Sequence, residues 1–251
     1  MRWQTEAIVL GSDVRGESDR LVQLFTPVAG RVWALAKGAL KSRKRFAGMF
    51  EPPQVIEVGL MSGGRTGRVM IEHADLVFGF AAFRQSPERL CRAHTLVELA
   101  RALVAEESPA PGLYALLRRG LGRLHDDPDH DRWMLASAFR MLSAAGHQPE
   151  LTVCVRCLRG VRREALFLAE EGGVVCPDCA GGRAGLPVSA DTTRTLAAIM
   201  AASEANLPRL GFTANSLSQS RSLLEHFIAH QLADPSRSLA VLRELEDRGC
   251  R

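Results

Sequence analysis

The sequence predicts an α+β protein, on three observations. Apolar residues fall in short runs split by turn signals up to about residue 80, they recur at three- and four-residue spacing after Phe83, and four cysteines in two close pairs interrupt the later part. The first region, residues 1–81, is read as a small β-barrel. The second, 82–251, is read as a helical bundle carrying a four-cysteine insertion at 152–183. With 251 residues, 46% of them apolar, the chain can bury full cores. No apolar run approaches the ~18 residues of a membrane span. Met1-Arg2-Trp3-Gln4-Thr5-Glu6 turns polar where a secretory leader needs its apolar stretch, so a cytoplasmic protein with no membrane partner is expected.

Five strands are expected at Thr5–Leu10, Arg20–Thr26, Arg31–Lys37, Gln54–Leu60 and Arg68–Phe80. Turn signals separate them at Gly11-Ser12-Asp13, Pro27–Gly30, Pro52-Pro53 and Ser62-Gly63-Gly64. So many short strands in so little chain favour a closed barrel. A five-stranded OB-type barrel leads, and an SH3-like barrel shares the pattern. Ser86-Pro87-Glu88 then starts a helix with a Ser cap, a Pro at the first helical position and an acid in the first turn. Further helices are carried by Leu113–Leu124 and Met134–Leu142, and by segments near 190–202, 214–232 and 236–247.

Cys154-Val-Arg-Cys157 and Cys176-Pro-Asp-Cys179 are separated by 18 residues, the spacing of a zinc site. Each C-x2-C turn sets two thiolates at the separation of tetrahedral ligands, and two turns complete a four-sulfur shell around Zn2+. Leu166-Phe167-Leu168 and Val174-Val175 flank a Glu-Glu-Gly-Gly turn, giving a small hairpin, so the insertion is a zinc ribbon that needs its metal to fold. A shell filled by sulfur leaves no open position for water, which makes one structural Zn2+ per chain the expected cofactor. Four thiolates around a dication sum to minus two, and Arg156, Arg159, Arg162 and Arg163 stand where they can offset it. Disulfides and a thioredoxin-like dithiol are the competing readings. Cys91 and Cys250 have no partner at ligand spacing.

Net charge is only +4, but Arg20 to Phe50 holds seven cations and no acid, including all three lysines of the chain. Such a stripe is the footprint of a polyanion site, or alternatively a solvated loop. In a strand over 31–37, Val32, Ala34 and Ala36 face the barrel interior while Arg31, Trp33 and Lys37 face out. Two cations and an indole suit a nucleic-acid strand, cations for phosphates and an aromatic plane for a base, although half-buried packing competes for Trp33. Lys41, Arg43, Lys44 and Arg45 continue the surface as a basic loop. The expected DNA-binding set is thus Arg31, Trp33, Lys37, Lys41, Arg43, Lys44 and Arg45.

Enzymatic constellations are absent from the sequence. Gly11–Ser18 has the glycine spacing of a phosphate-binding loop, but Glu17 stands where Lys is required. His226 and His230, four apart on a helix, lack the acid of a metalloprotease motif, and His125–Asp131 reads as a capped interhelical loop. No nucleophile has a base, so no catalytic residue and no enzyme are expected. A zinc-ribbon enzyme acting on nucleic acid, with His125–Asp131 as its site, and a protein-only adaptor are the alternatives.

Gly16-Glu17-Ser18-Asp19-Arg20-Leu21-Val22, Phe25-Thr26-Pro27, Gly30-Arg31, Ala36-Lys37-Gly38-Ala39, Lys41-Ser42, Arg45-Phe46 and Glu51-Pro52 together resemble the RecO family of bacterial recombination-mediator proteins. The four-cysteine segment and Gly146-His147-Gln148-Pro149-Glu150-Leu151 leading into it support the likeness, and Ser238-Leu239 with Leu242 does so more weakly. The resemblance implies an N-terminal OB-fold, a helical domain and a zinc ribbon that only some members keep. It also implies binding of single- and double-stranded DNA and annealing of complementary strands at the nucleoid. RecR and the C-terminal tail of single-strand-binding protein are the implied partners, in helping RecA load. The family's basic DNA-contacting positions match Lys37, Lys41 and Arg45, while Leu40 falls where many members have a basic residue. The pocket for the tail is implied in the helical domain. The Gly16–Arg20 segment shapes the first hairpin or the RecR contact.

Overall fold

The computed structural model describes residues 1–42, 45–46, 48–63, 68–231 and 237–249, so Arg43, Lys44 and Cys250 lie outside the described residues. Strands β1 (Arg2–Arg15), β2 (Asp19–Thr26), β3 (Gly30–Ala36), β4 (Val55–Ser62) and β5 (Val69–Phe78) form a closed barrel in the order β1-β2-β3-β5-β4. Strand β1 is much longer than the sequence suggests. Its first half pairs with β4 as far as Ile8 and its second with β2 from Ile8 on, and a register shift between Val9 and Gly11 follows just after the change of partner. Gly11-Ser12-Asp13 is therefore an irregularity inside a strand and not a turn, and the hairpin turn lies at Gly16–Ser18. An extra residue at that point bends the strand so that one strand serves both sides of the barrel.

The alternation read for β3 holds: Gly30, Val32, Ala34 and Ala36 are buried, and Arg31, Trp33 and Leu35 are half-buried. The small Ala34 and Ala36 leave room inside, which Phe46 and Phe50 fill from the chain between β3 and β4; their rings lie 5.2 Å apart. Each buried Phe contributes about 1.5–3 kcal/mol. The barrel closes between β3 and β5, which run parallel, through the pairs Ala34–Val69 and Leu35–Met70.

The chain divides into two compact units, residues 1–126 and 127–251. The first joins the barrel to α1 (Pro87–Leu103) and α2 (Pro111–Asp126). Ser86 caps α1 as the sequence indicates, its Oγ accepting from the Arg89 amide at 3.2 Å. Two contacts fix the helices on the barrel. The Tyr114 hydroxyl donates to Glu6 Oε1 at 2.7 Å, with its ring edge-on to Phe25. Gly30, at φ +65°, lets the Ser108 carbonyl come within 2.0 Å of where a Cβ would stand, so only glycine fits there.

The second unit contains α3 (His130–Ala144), β6 (Ala165–Leu168), β7 (Gly173–Val175), the short α4 (Pro177–Ala180), β8 (Leu186–Val188), α5 (Ala190–Ala201), α6 (Ala214–Gln231) and α7 (Arg237–Gly249). The expected hairpin forms from β6 and β7, with Leu166 opposite Val175. Strand β8 is an addition to the sequence reading: it pairs on the free edge of β6 to give the order β7-β6-β8. A three-residue strand with a central Pro gives no periodic signal, and Pro is tolerated because the strand is an edge. Phe167 of β6 packs on Phe227 of α6, ring centroids 6.1 Å apart, which seats the hairpin on the helices.

Candidate nucleic-acid surface and metal centre

Strand β3 ends at Ala36, and the chain turns at Lys37-Gly38-Ala39-Leu40-Lys41. Lys37, Lys41 and Arg45 are exposed, while Ala39 and Phe46 are buried, so the basic segment is stitched to the barrel through its apolar members. Trp33 is half-buried on the outer face of the same strand. The Arg45 guanidinium is set 4.6 Å above the Phe46 ring, and its Nε donates to the Glu72 carbonyl at 3.1 Å. These contacts orient Arg45 but leave it exposed to a ligand.

Arg31 departs from the expectation. Its Nη1 donates to the Arg101 carbonyl at 2.8 Å and its Nη2 pairs with Glu106 at 3.5 Å, while its backbone bonds Ala105 and Glu107. The β2–β3 turn docks on the chain after α1, and Arg31 serves that docking instead of presenting a free cation. Glu106 is remote in sequence, so the Arg20–Phe50 stretch looked free of acid when its first outward cation was already matched.

Sequence reasoning missed what holds the basic loop. Asp19 Oδ1 accepts from the Gly38 amide at 2.8 Å and from the Ser18 hydroxyl at 2.9 Å, and the Ser18 carbonyl accepts from the Leu40 amide at 2.9 Å. The Gly38 amide first and then the Ser18 hydroxyl hold the Asp19 carboxyl below its ordinary range against the opposing effect of burial, with a smaller contribution from the Lys37 charge. The resemblance picks out this segment, but the pattern alone does not reveal that it anchors a loop.

The four cysteines come together as their spacing predicts. Among the described residues they are the group whose donor atoms could hold an ion, with all four sulfurs within 4.8 Å of one another. Zn–S bonds of about 2.3 Å in a tetrahedron place sulfurs about 3.8 Å apart. Cys157 Sγ and Cys176 Sγ lie 3.8 Å apart, so the cluster fits such an ion. Burial raises the Cys154 thiol, but the Cys176, Cys157 and Arg156 amides together outweigh it and bring it to about 6. Cys179, hydrogen-bonded to Cys176 and Cys157 and close to Cys154, is pushed up to about 12. The four sulfurs cannot all ionise side by side without a cation, and a divalent metal supplies one.

Of the four arginines expected to offset this charge, Arg156 spans the two knuckles. Its Nη1 donates to the Cys179 carbonyl at 2.9 Å and its Nε to Glu171 Oε2 at 3.0 Å, with Nη2 on Glu171 Oε1. Arg183 meets the same carboxylate at 3.1 Å. Neither histidine candidate gathers ligands: His226 Nδ1 bonds the Ser222 carbonyl at 2.7 Å and His230 is exposed. In the His125–Asp131 segment, His125 Nδ1 lies 2.9 Å from Asp126 Oδ1, Asp129 caps α3 through the Arg132 amide, and Asp131 pairs with Arg221. No helix among the described residues is long and apolar enough to cross a membrane.

Comparison with known proteins assigns both parts of the chain to one family. The family model described as Recombination protein O N terminal matches residues 1–80, and that described as Recombination protein O C terminal matches residues 84–240. The DNA repair protein RecO of Myxococcus xanthus is 33% identical over 245 residues, covering 97% of this chain and 98% of that protein. Those of Anaeromyxobacter dehalogenans strain 2CP-C, 34% identical over 253 residues (99% of this chain, 97% of the relative), and Syntrophus aciditrophicus, 30% over 251 residues (98% and 97%), align equally fully. The barrel, the helices and the four-cysteine cluster thus lie in a chain that belongs to the RecO family of DNA repair proteins.

Proposed function

We propose that the protein is a non-enzymatic mediator of DNA repair and recombination that binds single- and double-stranded DNA and anneals complementary strands. The observation that carries this reading is the exposure of Lys37, Lys41 and Arg45 on one basic segment beside the half-buried Trp33. Arg43 and Lys44 belong to the same segment in sequence. Cations spread along a strand neutralise phosphates, which lowers the repulsion between two DNA strands and lets them pair without nucleotide hydrolysis. Family membership supports the wider role: with RecR, and through the C-terminal tail of single-strand-binding protein, it helps load RecA at the nucleoid. The metal is a structural Zn2+ held by Cys154, Cys157, Cys176 and Cys179, which clamps the ribbon.

Five phosphate contacts by Lys37, Lys41, Arg43, Lys44 and Arg45 give a salt slope near −3.5, at about −0.7 each, or roughly 100-fold weaker single-strand binding between about 50 and 200 mM salt. Replacing Lys41, Arg43, Lys44 and Arg45 with Ala leaves one contact and a slope near −0.7. Fluorescence anisotropy with a labelled oligonucleotide, alongside annealing of complementary strands without nucleotide, measures both. An unchanged affinity and slope in the quadruple variant would place the DNA surface elsewhere.

A further inference from the structure

The basic loop follows β3, yet two of its backbone amides are held from the start of β2. Gly38 donates to Asp19 Oδ1 and Leu40 to the Ser18 carbonyl, at 2.8 and 2.9 Å. The Ser18 hydroxyl donates to the same Asp19 oxygen, which sets the carboxylate's direction. Arg20 pairs with Ala36 in the sheet, so Asp19 falls beside Lys37. Arg20 itself is spent across the β1–β2 hairpin, where its Nη1 donates to Ser12 Oγ at 2.8 Å. A hairpin tip thus grips a turn that belongs to another strand pair, and Lys37 and Lys41 stand on that turn.

We propose that Asp19 is a positioning residue of the DNA surface: by accepting the Gly38 amide it fixes the turn that presents Lys37 and Lys41. This inference rests on the DNA-binding reading above. It predicts a sign opposite to simple electrostatics. Removing one carboxylate about 10 Å from a phosphate strengthens attraction to a polyanion by at most roughly twofold in water, and by less as salt screens it. Losing the turn's order instead weakens binding, by about 3- to 10-fold when two flexible cations must be fixed on association.

The test compares wild type with D19A, D19N, D19E and K37A/K41A, by anisotropy of a fluorescein-labelled oligothymidylate at constant salt. D19A and D19E are expected to bind about 3- to 10-fold more weakly. D19N, whose amide oxygen still accepts from Gly38, holds wild-type affinity or exceeds it. D19A binding as tightly as wild type, while K37A/K41A binds weakly, overturns the inference and leaves the DNA surface standing. K37A/K41A binding like wild type overturns the DNA surface itself, and the role of Asp19 with it. Should D19A fail to fold, D19E decides: its charge is intact but its acceptor is displaced by one methylene. Faster exchange of the Gly38 amide in D19E with unchanged affinity overturns the proposal, and faster exchange with weaker binding supports it.

Discussion

Replacing Arg156 with Met separates the geometry of the cysteine cluster from the presence of four sulfurs. The substitution keeps an unbranched side chain and removes every donor that Arg156 directs at the Cys179 carbonyl and the Glu171 carboxylate. Both knuckles then lose a brace they share, and the zinc-bound cluster, formally minus two, loses a cation beside it. Partners outside the ligand shell are typically worth about 10- to 100-fold in metal affinity. The Arg156–Glu171 pair is partly open to solvent, which places the loss near the lower end, at about 10-fold. Competition between the full-length protein and a zinc-responsive chelating dye, with metal content read by atomic absorption, measures it. R183M is the control: Arg183 meets Glu171 Oε1 at 3.1 Å from a side chain that is 53% exposed, so a change below about threefold is expected. A zinc affinity for R156M within twofold of wild type, or equal losses in the two variants, would refute a bracing role.

Two further perturbations test the first compact unit. G30A places a Cβ within 2.0 Å of the Ser108 carbonyl at φ +65°; left-handed strain and overpacking together cost about 3 kcal/mol, visible as a lower urea midpoint, and a midpoint equal to wild type would show that the turn does not dock there. Tyr114 is the chain's sole tyrosine, so the pH-dependent rise in absorbance near 295 nm, over a constant background from the three tryptophans, follows it alone. Burial first, then the Glu6 hydrogen bond, raise its pKa well above the ordinary tyrosine value. The protonated ring is therefore favoured by the fold, and its stabilisation is complete below about pH 10 and lost as pH rises beyond that. No phenolate should appear before unfolding, Y114F should cost about 1.5–2 kcal/mol in a thermal melt, and free titration near pH 10 in the folded protein would contradict the hydrogen bond to Glu6.

Features set by neighbours along the chain were legible in the sequence. The Ser86 cap, the alternation of Val32, Ala34 and Ala36, and the pairing of cysteine knuckles each depend on a few adjacent residues, and each stands where the pattern placed it. Features set by distant partners were not. Arg31 looked free because Glu106 lies in another element, and the anchoring role of Asp19 left no local signal because Gly38 belongs to another turn. Gly11-Ser12-Asp13 has the composition of a turn and the geometry of a bent strand, since the need to pair with both β2 and β4 overrides local preference. Strand β8 is too short to carry a period and exists because β6 offers it an edge.

The joint between β3 and β5 has a mechanical consequence. The four other strand pairings of the barrel are antiparallel, and each is longer than the two residue pairs described at this joint. The cylinder is in effect a continuous antiparallel ribbon rolled shut at one short seam, and unzipping the seam leaves the ribbon whole. Local opening begins where the fewest bonds must break. The strand on one lip of that seam runs directly into Lys37, so once the bonds from Asp19 and Ser18 to the basic turn give way, a pull on that turn passes to the shortest closure of the wall.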